Sequence, residues 1–213
     1  PSFLKQTKIR RVFIKFYFTL VYNKHFIYNC YGEKIIIQRT ARPFVKEKEF
    51  MNFLQTMIEK AKKNKKTIVL PESYDIRVLK AASEVLRQEI ANVILIGSEE
   101  EIKKAAGDLD ISKARIIKPE AFERFDEYAD SFFEMRKKKG ITVEEARETM
   151  KDPLYFGVML VKMNEADGMV AGAVNSTANT LRPALQILKT APGTKLVSSF
   201  FVMSVPNCEY GLD

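Results

Sequence analysis

The sequence has no tryptophan, one histidine and two cysteines among its 213 residues, and each scarcity excludes something. Two cysteines, Cys30 and Cys208, cannot build a disulfide framework and suit a reducing cytosol, so a cytoplasmic location is expected. With His25 as the only imidazole, neither a Ser-His-Asp nor a Cys-His arrangement can be assembled from Met51 onward. No apolar run approaches the ~20 residues of a membrane span. A Gly-rich dinucleotide fingerprint, a phosphate-binding P-loop and metal-ligand spacings are all missing, so no metal site is expected. What is present, 46% hydrophobic and 29% charged residues, describes a globular chain of one or two domains rather than a disordered or collagen-like one.

The net charge of +8 is unevenly placed. Residues 1–50 hold 11 basic and 3 acidic residues, and residues 51–213 hold 24 of each sign. The first fifty also carry 11 of the 23 Phe and Tyr. Three readings fit this segment. One is a basic arm for nucleic acid or a membrane surface, which the mixed pattern disfavours because no charged face separates from an apolar one. Another is a β-rich extra domain with strands at Phe16–Tyr22 and Lys34–Gln38. The preferred reading is a translated upstream segment or disordered extension. Its Lys, Asn, Ile, Phe and Tyr bias is that of AT-rich DNA, and Lys46–Glu49 can be encoded by purine-only codons ahead of Met51. The natural start is accordingly expected at Met51, with neither a nucleic-acid nor a membrane partner.

From Met51 helical and strand signals alternate. Phe53 to Ala61 recur at helical spacing and end in a lysine run. Thr67–Leu70 and Val93–Ile96 read as buried strands, with a helix over 75–88 between them that places Ile76, Leu79, Ala82, Val85 and Leu86 on one face. Ser98 with Glu101, and Thr142 with Glu145, have the spacing of capping boxes. Arg115–Ile117 reads as a weaker strand, 122–139 as a long helix closed by Gly140, 154–164 as a helix capped by Asp152-Pro153, 168–173 as a strand, 180–190 as a helix and 196–205 as a strand. Strands without a polar face, alternating with helices, predict an α/β fold with a largely parallel sheet covered on both sides.

Parallel sheets bind ligands beyond the carboxyl ends of their strands. The loop Gly172 to Thr180 there has small residues whose amides can approach an anion, the donors of Asn175, Ser176 and Thr177, and a following helix carrying Arg182. A capped helix start with a solvated Arg182 fits the same residues. In Leu70 to Arg77, Asp75 reads as a cap and Arg77 as a solvated side chain or an anion ligand. Arg136 and Lys137–Lys139 read as a solvated helix end, and Cys208 as a small buried apolar residue.

Four collinear motifs then resemble those of the phosphate acetyltransferases: Asp152-Pro-Leu-Tyr-Phe-Gly-Val-Met159, Ala166-Asp-Gly-Met-Val-Ala-Gly-Ala173, Thr180-Leu-Arg-Pro-Ala-Leu-Gln186, and Ser199-Phe-Phe201 with Val205-Pro-Asn-Cys-Glu-Tyr-Gly211. The resemblance runs from Met51 to Gly211. It implies reversible acetyl transfer between acetyl-CoA and phosphate, with CoA and acetyl-CoA as substrates and no metal or permanently bound cofactor. It also implies an isocitrate/isopropylmalate dehydrogenase-like fold of two α/β domains around a cleft, in a homodimer. Residues 51–193 would then form the first domain and 194–213 the opening of the second. Arg136 and Arg182 match family arginines that hold the anionic groups of CoA, Asn175, Ser176 and Thr177 would line the cleft, and Arg77 matches another family arginine. Many members carry histidine where Asn175 stands and aspartate where Asn179 stands, which leaves the loop without a proton-transfer group. No catalytic residue is expected in these 213 residues, and the chain alone is expected to be inactive. A butyryltransferase and a non-catalytic acetyl-CoA-sensing domain are the alternatives.

Overall fold

The computed structural model describes residues 27–28, 34–35, 47–191, 193, 194 and 197. Two units are distinguished along the chain. In the smaller one, β1 (Ile27–Tyr28) and β2 (Lys34–Ile35) form an antiparallel pair with Ile27 opposite Ile35. The expected strand at Phe16–Tyr22 lies outside the described residues. Helix α1 (Glu47–Lys63) follows, its last turn carrying Lys60, Lys62 and Lys63 where cations complement the helix dipole.

In the larger unit β3 (Lys66–Leu70) leads through a loop to α2 (Ile76–Arg87), β4 (Ala91–Ile96), α3 (Glu99–Ala106) and β5 (Arg115–Ile117). Three more helices come next: α4 (Phe125–Arg136), α5 (Val143–Met150) and α6 (Pro153–Lys162). A short β6 (Gly168–Met169) and α7 (Thr177–Ile187) complete it. The sheet order is β5-β4-β3-β6 and every pairing is parallel. Alternation along β4 divides the core: Ile94 and Ile96 pack with residues of α4, α5, α6 and α7, whereas Val93 and Leu95 pack with Leu79, Ala82 and Leu86 of α2 and Ile102 of α3. Helices therefore cover both faces, and the expected α/β architecture is present. Gly157 lets α6 lie close on the sheet, since a methyl built there would stand 2.8 Å from Met169 Sδ and 3.2 Å from side-chain carbons of Val69 and Ile96.

Several local expectations change. Thr142 and Glu145 form the full capping box, but Ser98, although at the N-cap of α3, makes no side-chain cap bond. Ile76 is 44% exposed because it begins the helix on the loop side, leaving Leu79, Ala82 and Leu86 as the buried stripe. The long helix expected over 122–139 is shorter: Phe122 ends a 3₁₀ turn at Pro119–Ala121, and Lys137–Lys139 tighten into another before Gly140 turns left-handed at φ 84°. The strand expected over 168–173 stops at Met169, and α7 starts three residues before the expected Thr180. The strand expected over 196–205 lies outside the described residues apart from Val197, which is not in a strand.

Candidate functional site

Pro71 follows the last residue of β3, and the two residues after it are buried polar ones, Glu72 (2% exposed) and Ser73. Ser73 ties two strand ends together: its hydroxyl donates to Leu70 O at 2.6 Å and accepts from Ile96 N at 2.9 Å. Glu72 organises the loop after β6. Its Oε2 accepts from the backbone N–H groups of Gly172 (2.8 Å) and Ala173 (2.7 Å). Oε1 accepts from Val174 N (3.0 Å), Asn175 N (2.8 Å) and Asn175 Nδ2 (2.9 Å). Gly172, at φ 102°, supplies the backbone turn that starts this wrap. Burial pushes the Glu72 carboxyl up, but the hydrogen bonds from Asn175, Val174 and Ala173 outweigh it and hold the group below its ordinary range.

This geometry adds a structural role to the 172–180 loop. Its amides do converge on an anion, and across 172–175 that anion is the chain's own Glu72. The amide of Asn175 is engaged in the same way. Ser176 is the N-cap of α7, its hydroxyl accepting from Asn179 N at 3.2 Å, and Thr177 is the exposed first residue of that helix. No sequence signal in the loop itself marks Glu72, which lies a hundred residues earlier.

Arg77 takes a role between its two expected ones. Its guanidinium forks onto Asp75, Nε to Oδ1 and Nη2 to Oδ2, both at 2.9 Å, and Nη2 also donates to Ala173 O at 2.8 Å. Asp75, capping α2 by accepting from Arg77 N, is drawn below its usual carboxylate range chiefly by that side chain. Arg77 is thus an exposed brace joining the loop after β3 to the loop after β6.

The charges of the remaining two arginines, Arg136 and Arg182, both act on Tyr155. In the first turn of α6, capped by Asp152 accepting from Leu154 N (2.7 Å) and Tyr155 N (3.3 Å), the phenol is pushed up by burial. Positive charge on both Arg182, in α7, and Arg136, closing α4, acts in the opposite direction. Asp152 raises this phenol and also that of Tyr74 in the loop after β3. Five of the seven arginines between 58 and 191 hold a carboxylate: Arg77 with Asp75, Arg87 with Glu84, Arg115 and Arg124 with Glu165, and Arg147 with Asp126. Among the described residues, Arg136 and Arg182 have no such partner. Guanidinium groups with no carboxylate partner among the described residues, both acting on one phenol, offer planar forks to phosphate or carboxylate oxygens. A cavity of about 550 Å³ lined by Glu120, Phe122, Phe125, Asp126, Arg147 and Lys151 shares no residue with this group, and its Arg147 is already paired. Among the described residues no three His, Cys, Asp or Glu side chains are grouped to hold a metal, and no helix is long and apolar enough to cross a membrane.

Comparison with known proteins matches this fold to one family. A phosphate acetyltransferase of Acetivibrio thermocellus is 66% identical over 161 residues, and one of Thermoanaerobacterium thermosaccharolyticum is 60% identical over the same length. Each alignment covers 76% of this chain but only 48% and 49% of the relative, so the chain spans about half the length of these curated relatives. Among solved structures, EutD phosphotransacetylase from Staphylococcus aureus superposes with a TM-score of 0.62 at 40% identity, covering 68% of this chain and 44% of that one. A phosphotransacetylase from Streptococcus pyogenes gives the same TM-score at 42% identity, covering 67% and 44%. The family profile described as phosphate acetyl/butaryl transferase matches residues 52–212, and with relatives at this identity the chain belongs to that family.

Proposed function

We propose that this chain carries the CoA-binding part of an enzyme that moves an acetyl group reversibly between acetyl-CoA and inorganic phosphate. In that reaction a phosphate oxygen takes the acyl carbon and the CoA sulfur leaves as the thiol, giving acetyl phosphate and CoA. The observation that carries the reading is the pair Arg136 and Arg182, the two described arginines of the α/β unit with no carboxylate partner, assembled from α4 and α7 around Tyr155. They hold the anionic groups of CoA, while Asn175, Ser176 and Thr177 line the same end of the sheet and Arg77 braces the loop they stand on. CoA enters as substrate, with no permanently bound cofactor and no metal. Residues 51–193 form the first of two α/β domains of a dehydrogenase-like family fold and 194–213 open the second, in a homodimer located in the cytoplasm.

The test is phosphate-dependent release of CoA from acetyl-CoA by the full-length protein, with acetyl phosphate identified as the other product. Arg136→Ala and Arg182→Ala are each expected to raise the KM for CoA in the reverse direction about tenfold or more. Turnover with butyryl-CoA but not acetyl-CoA would reassign the acyl group within the family, whose description spans both. CoA binding without turnover would instead indicate an acetyl-CoA-sensing domain.

A further inference from the structure

The reading above gives Tyr155 no task, yet its contacts tie it to both helices that carry the arginines. Its ring meets Phe132 of α4 edge to face, with centroids 5.6 Å apart and planes at 74°. Its hydroxyl donates to Gln186 Oε1 of α7 at 3.2 Å. Phe132 precedes Arg136 by four residues, and Gln186 follows Arg182 by four, so each contact lies about one helical turn from an arginine on the same face of its helix. One half-buried side chain on α6 is therefore held at two points, each about one helical turn from a guanidinium that has no carboxylate partner among the described residues. The phenol's response to both positive charges is consistent with that placement.

We propose that Tyr155 is a positioning residue, a strut between α4 and α7 that fixes the spacing of Arg136 and Arg182 so that one polyanionic ligand engages both at once. The proposal rests on the reading of this pair as the CoA subsite. Two charges that grip one ligand reinforce each other only when their separation matches the ligand, since the second contact is then effectively intramolecular. A strut that sets the separation acts on the joint grip and leaves each arginine's own attraction in place. Tyr155 need not touch the ligand to do this.

Calorimetric titration of the full-length protein with CoA tests the strut. Tyr155→Phe keeps the ring against Phe132 and removes the bond to Gln186, and Gln186→Leu removes the same bond from the other side. Each is expected to weaken CoA binding about fivefold, the size of one lost hydrogen bond's influence. The double variant is expected to be no weaker than either single one. In an Arg136→Ala background the Tyr155→Phe effect should vanish, because no joint grip remains to be spaced. A general loosening of the fold would lower the melting temperature and persist in that background. Wild-type affinity in both Tyr155→Phe and Gln186→Leu, or a loss that survives unchanged without Arg136, overturns the strut. If Arg136→Ala and Arg182→Ala themselves bind CoA as the wild type does, the subsite reading fails and the strut with it. Sensitivity to the arginines without sensitivity to Tyr155 defeats the strut alone.

Discussion

Two neighbouring regions treat charge in opposite ways. In the loop after β6, five N–H donors converge on the buried carboxylate of Glu72, and the anion they accommodate is internal. Acting on the Tyr155 phenol, two guanidinium groups have no carboxylate partner among the described residues. A donor cluster filled by the chain's own acid shapes the backbone. A donor cluster left unfilled keeps its favourable interaction for something that arrives from outside. The first region is thus an element of architecture and the second a candidate binding site, although composition alone marks both as suited to phosphate.

Breaking the first region should damage folding most. Glu72→Ala leaves four backbone N–H groups of 172–175 without their acceptor and is expected to cost about 3 kcal/mol of stability in urea unfolding. Acidification should reproduce part of that loss. Because the folded carboxyl lies below its ordinary value of 4.5, its contribution is complete above that pH and fades as pH falls from there through the lower folded value. Stability profiles of wild type and Glu72→Ala should therefore converge on the acid side and separate towards neutrality. A smaller effect is expected at the brace. Arg77 is 66% exposed in its side chain, so Arg77→Ala should lower stability by only about 0.5 kcal/mol, with 2H exchange of the 172–175 amides accelerating more than global exchange. The smallest effect belongs to the second region. Arg136→Ala and Arg182→Ala, which break no ion pair among the described residues, should leave the unfolding midpoint within about 0.5 kcal/mol of wild type. A large loss there would make those arginines architectural as well and dissolve the contrast.

The sheet was readable from the chain because its determinants are local. Val93 to Ile96 has no polar face because both faces are packed, and Gly140 marks a left-handed turn that few other residues adopt readily. Thr142 and Glu145 carry a complete cap within four residues. The misread features depend on distant partners. The amides of 172–175 are taken up by Glu72, a hundred residues away, and Arg77 reaches an acceptor in Ala173 that no spacing rule connects to it. The role of Arg136 and Arg182 is implied by family resemblance, but their shared action on Tyr155 depends on the packing of α4, α6 and α7. Ser98 shows the limit of a local rule, since the capping spacing is present and the bond is not.

The proposed role of Arg136 and Arg182, which have no carboxylate partner among the described residues, is to hold an anionic ligand. Its most direct test is titration of the Arg136→Ala, Arg182→Ala double variant with CoA, alongside wild type at the same ionic strength. A loss of affinity of at least about a hundredfold is expected, corresponding to ~2.7 kcal/mol, with an unchanged melting temperature. Equal affinity in the two proteins would contradict it.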